Sequence, residues 1–221
     1  MEPGTNCRKE PLKICSGCGI CVDECPGGAL KLLGKKVTVD EVMETVRRDG
    51  FYYRLSGGGI TLSGGEPLAQ PEFAGALLKA AKSENYHTAV ETSGAVPWEN
   101  FELVLPWCDL WLFDIKAAPA RYKELTGANY DLVKSNLLRL SAAGKEVVLR
   151  VPLVAGGNCE EAFLDELEEL VRLPGVKNAD ILPYHDFGRG KSTMCGKKEP
   201  EWECFSTPSP ETVELYREKL N

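Results

Sequence analysis

Four cysteines within eleven residues form the strongest chemical signal in this sequence. Cys15, Cys18, Cys21 and Cys25 are followed by Pro26, in the pattern C-x2-C-x2-C-x3-C-P. This is the spacing of the iron–sulfur ligands of bacterial ferredoxins. Zinc also accepts thiolates, but its sites usually consist of two separated pairs and not of a run of four closed by proline. The spacing therefore predicts a [4Fe–4S] site.

The sequence leaves the fourth ligand and the other cysteines open. In two-cluster ferredoxins the fourth cysteine of such a run binds the other cluster, and this chain has one run. Either Cys25 completes the local cluster or its partner motif is missing; Cys7 is either a substitute ligand or a free surface thiol. Cys108 lies in the apolar stretch PWCDLWLF, which predicts a buried small hydrophobe. No role follows from sequence for Cys159, Cys195 and Cys204.

The second signal is the glycine-rich stretch GGGITLSGGEP at 57–67. A short apolar segment opens into Gly64, Gly65, the acid Glu66 and a proline. A tight turn would explain one glycine but not the acid. The letters LSGGE are similar to a signature of transporter ATPases, but that family needs an upstream phosphate-binding loop. The nearest match, HDFGRGKST at 185–193, comes after the signature and has His185 where the first glycine is needed.

Alternating segments of extended and helical character would position these residues. The strand candidates are GITLSGG, YHTAVETSG, DLWLFDIK, EVVLRVPLV and VKNADILPYH, with helix candidates between them. One helix, TVDEVMETVRRDG, is predicted to begin at an N-cap Thr38 and to stop at Gly50. Such alternation predicts a parallel sheet. The polar groups SGGE, ETSG, DIK, RVP and PYH all come at carboxyl ends of strands, where parallel α/β folds bind ligands.

Composition excludes several classes of protein. The chain has 221 residues, 43% of them hydrophobic, with a net charge of −7 and a pI near 5.1. An acidic chain is not expected to bind nucleic acid without regard to sequence, since that requires a basic face. No segment approaches the ~20 apolar residues of a membrane span, and the first residues lack the apolar core of a signal peptide. We expect a cytoplasmic protein with no membrane partner, whose clustered cysteines bind metal.

Five segments, in this order, carry a family resemblance: SGGGITLSGGEPLAQPEF, HTAVETSG, LFDIK, VVLRVPLVAGGN and ILPYHDFGRGK. They resemble the glycyl-radical-enzyme activating enzymes of the radical S-adenosylmethionine superfamily, the pyruvate formate-lyase activating type. The cysteine run is similar to the cluster insert of the subgroup that activates decarboxylases, dehydratases and choline lyases. The resemblance implies an α/β fold with two parts: a ferredoxin-like [4Fe–4S] segment over 1–36 and a partial radical SAM (β/α) barrel over 37–221.

The resemblance also implies a binding site for S-adenosylmethionine. The backbone at Gly64 and Gly65 would receive its amino-acid end, and Glu66 would accept hydrogen bonds from its ammonium group. Lys116 and Arg150 would pair with its carboxylate, which arginine can bind with two parallel hydrogen bonds.

Further residues are assigned by the same resemblance. Asp114 would bind ribose hydroxyls, His185 would lie at the ribose and adenine, and Glu91 with Thr92 is similar to a pair beside a monovalent cation site. Taken singly, each has an ordinary explanation; Asp114 and Lys116, for example, could form an ion pair at a strand end. Their joint occurrence at five strand ends favours a binding site.

The implied activity is reductive cleavage of S-adenosylmethionine, followed by hydrogen abstraction from a glycine of a partner glycyl radical enzyme. Oxygen sensitivity implies an anaerobic cytoplasm, and a low-potential electron donor such as flavodoxin or ferredoxin is expected. The family's radical cluster is held by C-x3-C-x2-C, which this sequence does not contain.

Three hypotheses follow from that difference. The leading one is a truncated form of an activating enzyme. The second is a short non-catalytic protein that carries electrons or binds S-adenosylmethionine. The third is an open-site cluster held by Cys15, Cys18 and Cys21, with Cys25 released. If the first barrel strand of the family is missing, the strand candidate ITLSG has an open edge. This predicts marginal stability or association for the chain on its own.

Overall fold

The computed structural model describes residues 18–31, 34–185 and 204–221 of the chain. The chain divides into two compact units. The sheet unit contains Thr38–Tyr184 and Phe205–Asn221, and the cysteine unit contains Met1–Val37 with His185–Cys204. The assignment of 1–36 as a ferredoxin-like segment stays a prediction, because residues 1–17, including Cys15, lie outside the described residues.

The sheet unit is built on five parallel strands. They are β1 (Gly59–Leu62), β2 (His87–Thr92), β3 (Leu110–Asp114), β4 (Glu146–Leu153) and β5 (Val176–Pro183). Their order in the sheet is the order in the chain, and every neighbouring pair is parallel. All five predicted strands are therefore confirmed. Because each new strand is added on the same side of the previous one, their carboxyl ends form one continuous edge.

Helices connect the strands, and most of them were predicted. In the described residues they are α1 (Ile20–Asp23), α2 (Val39–Arg47), α3 (Gly50–Ser56), α4 (Pro71–Ser83), α5 (Trp98–Val104), α6 (Pro119–Thr126), α7 (Tyr130–Ala142), α8 (Glu161–Leu170) and α9 (Pro210–Leu220). The sequence did not predict α1, α3 or α6, although the proline at the first position of α6 is a usual start signal. No helix among the described residues is long and apolar enough to cross a membrane.

The helix α2 shows one correct and one wrong prediction. Thr38 caps it as expected: its hydroxyl accepts from the Glu41 amide at 3.3 Å, and the Glu41 carboxylate accepts from the Thr38 amide at 2.7 Å. This reciprocal pair satisfies two backbone donors. The predicted stop at Gly50 is wrong, because α2 ends at Arg47 and Gly50 begins α3. Gly50 is buried, and a Cβ there would lie 2.4 Å from the Tyr86 hydroxyl.

The hydrophobic core lies on one face of the sheet. Val90, Trp111, Phe113, Leu149 and Val151 are fully buried there and pack with apolar residues of the helices. The predicted buried cysteine is confirmed on this side: Cys108 is 3% exposed, and burial raises the pKa of its thiol to about 12.

The opposite face is named here the inner face. Side chains of parallel strands that are paired in register point to the same side, so the inner face carries these residues: Glu91, Leu112, Asp114, Val148, Arg150, Asn178 and Asp180. Leu112 and Val148 are only partly buried and belong to neither hydrophobic core cluster of the described residues.

A partly exposed ion pair links α4 to Asp109, the residue before β3, and the same carboxylate also bonds to β2. The Asp109 carboxylate accepts from Lys82 Nζ at 2.7 Å and from the Thr88 amide at 3.0 Å. Burial opposes ionisation of Asp109, but these donors outweigh it, so the pKa of Asp109 lies below its usual value.

The two edges of the sheet are β1 and β5. Along β5, the Asn221 side chain pairs with the backbone of Ala179, accepting from its amide and donating to its carbonyl, both at 3.1 Å. That amide replaces one neighbouring peptide group and so removes part of an open edge. The marginal stability expected from the edge at β1 stays a prediction.

Candidate functional site

The carboxyl ends of the five strands bring the predicted polar residues together at one edge of the sheet unit, named here the rim. Gly64, Gly65 and Glu66 follow β1, Lys116 follows β3, and Asp114 and Arg150 lie side by side on β3 and β4. In parallel α/β folds this edge is where loops leave the sheet and ligands bind. The rim therefore collects six of the seven residues predicted to bind the nucleoside.

The turn after β1 has an open surface at its two glycines. Gly64 has a φ of +121°, a conformation that side chains with a Cβ rarely adopt. A Cβ built at Gly64 or at Gly65 would meet nothing within 4 Å. The backbone of both residues is therefore accessible to a ligand, and Gly64 is also required by its conformation.

Glu66 is held by four donors of the chain itself. Its Oε1 accepts from the Leu68 amide at 3.1 Å and the Thr92 hydroxyl at 2.9 Å, and its Oε2 accepts from the Ser93 amide at 2.9 Å and the Ser93 hydroxyl at 2.7 Å. A carboxylate has about four acceptor positions, and all are used. Glu66 thus links the turn after β1 to the turn after β2, and its predicted contact with an ammonium group would have to displace one of these donors.

Arg150 reaches across β3 to Glu91 on β2. Its Nη1 lies 2.6 Å from Glu91 Oε2, which also accepts from the Ser63 hydroxyl at 2.9 Å. Thr92 next to Glu91 is buried on the helix side and is bonded to Glu66. Glu91 therefore orients Arg150 in this structure, and the assignment of Glu91 with Thr92 to a cation site stays a prediction.

Asp114 and Lys116 form a second ion pair at the rim, with 3.0 Å between Nζ and Oδ2. Burial raises the pKa of the Asp114 carboxyl, and the charges of Lys116 and Arg150 only partly offset this. A carboxylate whose charged form is disfavoured by burial is typical of a functional site. Asp114 is also placed to accept hydrogen bonds.

His185 lies two residues after β5 and belongs to the cysteine unit. Its predicted position at the ribose and adenine stays a prediction.

Two buried asparagines hold the rim loops, although no sequence pattern predicted a role for them. Asn158 is 3% exposed; it donates to the Lys116 carbonyl at 2.8 Å and accepts from the Val154 amide at 2.7 Å. Asn136 donates to the Gly94 and Val96 carbonyls, both at 2.8 Å. The only sequence signal was the position of Asn158 at the end of the segment VVLRVPLVAGGN.

Comparison with known proteins identifies the family. Residues 4–170 match the radical SAM superfamily. The chain belongs to that superfamily. The isethionate sulfite-lyase activating enzyme of Nitratidesulfovibrio vulgaris is 40% identical over 191 residues, which cover 85% of this chain and 62% of that protein. The pyruvate formate-lyase 2-activating enzyme of Escherichia coli is 31% identical over 209 residues, covering 94% and 70%.

A solved structure supports the fold. A domain of a pyruvate-formate lyase-activating enzyme from Bacteroides vulgatus matches with a TM-score of 0.61 at 27% identity, covering 73% of this chain and 92% of that one. The predicted family and the α/β fold of the partial radical SAM barrel type are confirmed. The chain spans 62% of the length of the N. vulgaris relative.

The cofactors of radical SAM enzymes are a [4Fe–4S] cluster and S-adenosylmethionine, as the sequence predicted. The rim fits the nucleoside, because it offers an open glycine turn beside a cationic Arg150 and Lys116. Both side chains can pair with a carboxylate, and the predicted roles of the rim residues remain proposals.

The cysteine run is described only in part. Cys18 and Cys21 are exposed, Cys25 is half-buried, and Cys15 lies outside the described residues. The backbone amides of Leu30 and Ala29 lower the pKa of the Cys25 thiol, which favours the thiolate that a metal requires. Within 18–31, 34–185 and 204–221, no three His, Cys, Asp or Glu side chains come together as a metal site. The chemistry of Cys25 fits a cluster ligand, and the full ligand set stays a prediction.

Proposed function

We propose that this chain binds S-adenosylmethionine at its rim and takes part in activating a glycyl radical enzyme. The amino-acid end of the nucleoside lies on the Gly64–Gly65 turn, with its carboxylate against Arg150 and Lys116. Asp114 accepts hydrogen bonds from the ribose, and His185 contacts the ribose and adenine. Cys15, Cys18, Cys21 and Cys25 hold a [4Fe–4S] cluster.

One observation carries this proposal: the open glycine turn and both cationic side chains lie on the same edge of one parallel sheet. Gly64 and Gly65 leave space for a ligand, and Arg150 and Lys116 are each held by a single carboxylate. A guanidinium has five N–H donors, so Arg150 can bind a second carboxylate without releasing Glu91. These features favour binding of the carboxylate of an amino-acid group at the rim.

The activity follows from the relatives. Their names describe activating enzymes of an isethionate sulfite-lyase and of a pyruvate formate-lyase. We infer that the partner of this chain is a glycyl radical enzyme, and that a low-potential flavodoxin or ferredoxin supplies electrons in an anaerobic cytoplasm. When bound, the cluster of the cysteine run would supply an electron. Because four thiolates leave no open iron site, this cluster would relay the electron for reductive cleavage and would not bind the nucleoside, whose amino-acid end Gly64, Gly65, Arg150 and Lys116 would hold.

The test begins with binding. Calorimetric titration of the anaerobic chain with S-adenosylmethionine should give saturable binding, and R150M should weaken it at least tenfold, since a charged hydrogen-bond partner of the ligand is lost. The same substitution should have a smaller effect on decarboxylated S-adenosylmethionine, which lacks the carboxylate. R172M is the control, because Arg172 is 74% exposed and pairs with Glu168 on α8. Equal affinities of the wild type and R150M would contradict the assignment.

A second candidate function is electron transfer without radical chemistry. It is favoured by the ferredoxin spacing of the four cysteines. After anaerobic reconstitution, iron and sulfide content should reach about four each per chain in both cases. Formation of 5′-deoxyadenosine above background with a reductant supports the activating function, and a redox-active cluster with no such product supports electron transfer.

A further inference from the structure

Among the described residues, one carboxylate of the inner face has no cationic partner, Asp180 on β5. The strand register places Asp180 beside Arg150, and lateral neighbours on one face are usually close enough to pair. Arg150 instead extends to Glu91 at 2.6 Å, across the width of β3. In the described part of the chain, Asp180 is exposed and bonded to the Asn178 amide at 3.0 Å.

The other charges of the inner face cancel. Glu91 is paired with Arg150, and Asp114 is paired with Lys116 at 3.0 Å. Counted over the residues that the structure describes, Asp180 leaves this face with one net negative charge. It faces the same side as the carboxylates at the rim and is not shielded by a cation from the neighbouring strand.

Apolar side chains lie on the same face, and Val148 pairs in register with Asn178, two residues before Asp180. Leu112 and Val148 lie on the inner face, partly exposed, and neither joins a core cluster among the described residues. An apolar strip of sheet with a single exposed acid at its side is suited to an extended peptide that carries a basic side chain. A nucleic acid or an acidic lipid surface is disfavoured by the sign of the charge.

We propose that Asp180 recognises a lysine or arginine side chain in the partner segment that lies on the inner face. This inference rests on the proposed function, since it concerns the protein substrate of the same site. Asp180 would determine specificity and not chemistry, because a basic side chain placed against it fixes how the segment lies along the strands. Asp180 prefers a basic side chain over a neutral one because the hydrogen bond to a cation is stronger than the bond to water that it replaces.

The experiment uses the full chain and three acetylated, amidated heptapeptides of alanine with a central glycine. They differ at one position, which is arginine, citrulline or glutamate; citrulline keeps the shape of arginine without its charge. Binding is followed by calorimetry at low salt, with S-adenosylmethionine titrated in parallel. The wild type should bind the arginine peptide about two- to fivefold more tightly than the citrulline peptide, and added salt should reduce this ratio.

Three substitutions make the assignment specific. D180N should abolish the preference for arginine, D180E should keep most of it, and D180K should favour the glutamate peptide. An exposed charge on an edge strand also discourages unwanted strand pairing, but D180K keeps that role while it reverses recognition. Thermal melts of all three variants show whether the fold is retained, and D180N and D180E alone suffice if D180K fails to fold.

The outcomes separate this inference from the proposed function. A wild type that binds S-adenosylmethionine but shows no preference among the peptides, or binds none of them, overturns the role of Asp180 and leaves the proposed function intact. The same holds if D180N retains the wild-type preference. A chain that does not bind S-adenosylmethionine refutes the proposed function itself, whatever the peptides show.

Discussion

Replacing Glu66 by glutamine tests whether this residue links two loops or binds the ligand. Each carboxylate oxygen of Glu66 accepts one backbone amide and one hydroxyl: Leu68 and Thr92 at Oε1, Ser93 alone at Oε2. In E66Q one oxygen becomes an NH2 group. A hydroxyl facing that group can rotate and accept, but a backbone N–H cannot. Whichever way the amide is oriented, one N–H loses its acceptor.

The expected cost follows from that single orphaned group. An unsatisfied donor away from water costs about 1–3 kcal/mol, and Glu66 is partly buried at this point. E66Q should therefore lower the free energy of unfolding by about 1–3 kcal/mol. Denaturant unfolding followed by the fluorescence of the four tryptophans measures it. The control E72Q changes an exposed glutamate in the first turn of α4 and should stay within about 0.5 kcal/mol of the wild type.

A double-mutant cycle with S93A identifies the partner. Ser93 supplies two of the four donors, and S93A removes only the hydroxyl, so E66Q and S93A should show a coupling of about 0.5 kcal/mol or more. The reasoning is refuted if E66Q unfolds at the same free energy as the wild type while its affinity for S-adenosylmethionine falls. Glu66 would then act as the ligand's partner, as the resemblance implied, and not as a link between loops.

Three further predictions concern charge and backbone conformation. Burial raises the pKa of Asp114, so the stability that this carboxyl contributes to the folded protein falls as pH rises through that pKa. D114N should therefore raise the melting temperature at pH 7, while it should weaken nucleoside binding. The pKa of Asp109 is lowered, so its contribution is present at neutral pH and is lost as pH falls through that pKa; D109N should cost about 1–3 kcal/mol at pH 7 and less in acid, by pH-dependent denaturation. G64A should destabilise by about 1–3 kcal/mol because of its φ of +121°, whereas G65A should not, although calorimetry should show weaker nucleoside binding for both.

Local signals in the sequence were sufficient for most of the fold. The Thr38 capping box depends on residues three apart, and strand–helix alternation depends on short-range periodicity. The wrong stop at Gly50 has a tertiary cause, since the absence of a Cβ there makes room for the Tyr86 hydroxyl and does not end a helix. The helix at Pro119–Thr126 was missed because it is short and mostly polar.

The sequence by itself determined which residue types stand at the strand ends: glycines, acids and cations in the order typical of radical SAM activating enzymes. Only the tertiary structure decided how they are paired. It joined Glu66 to Ser93, Arg150 to Glu91 and Asn158 to the Lys116 carbonyl, and it left Asp180 without a cation from the described part of the chain. The physical reason is that a hydrogen bond or an ion pair needs its atoms within about 3 Å. That distance is set by sheet register and helix packing between residues far apart in the chain, which no local pattern records.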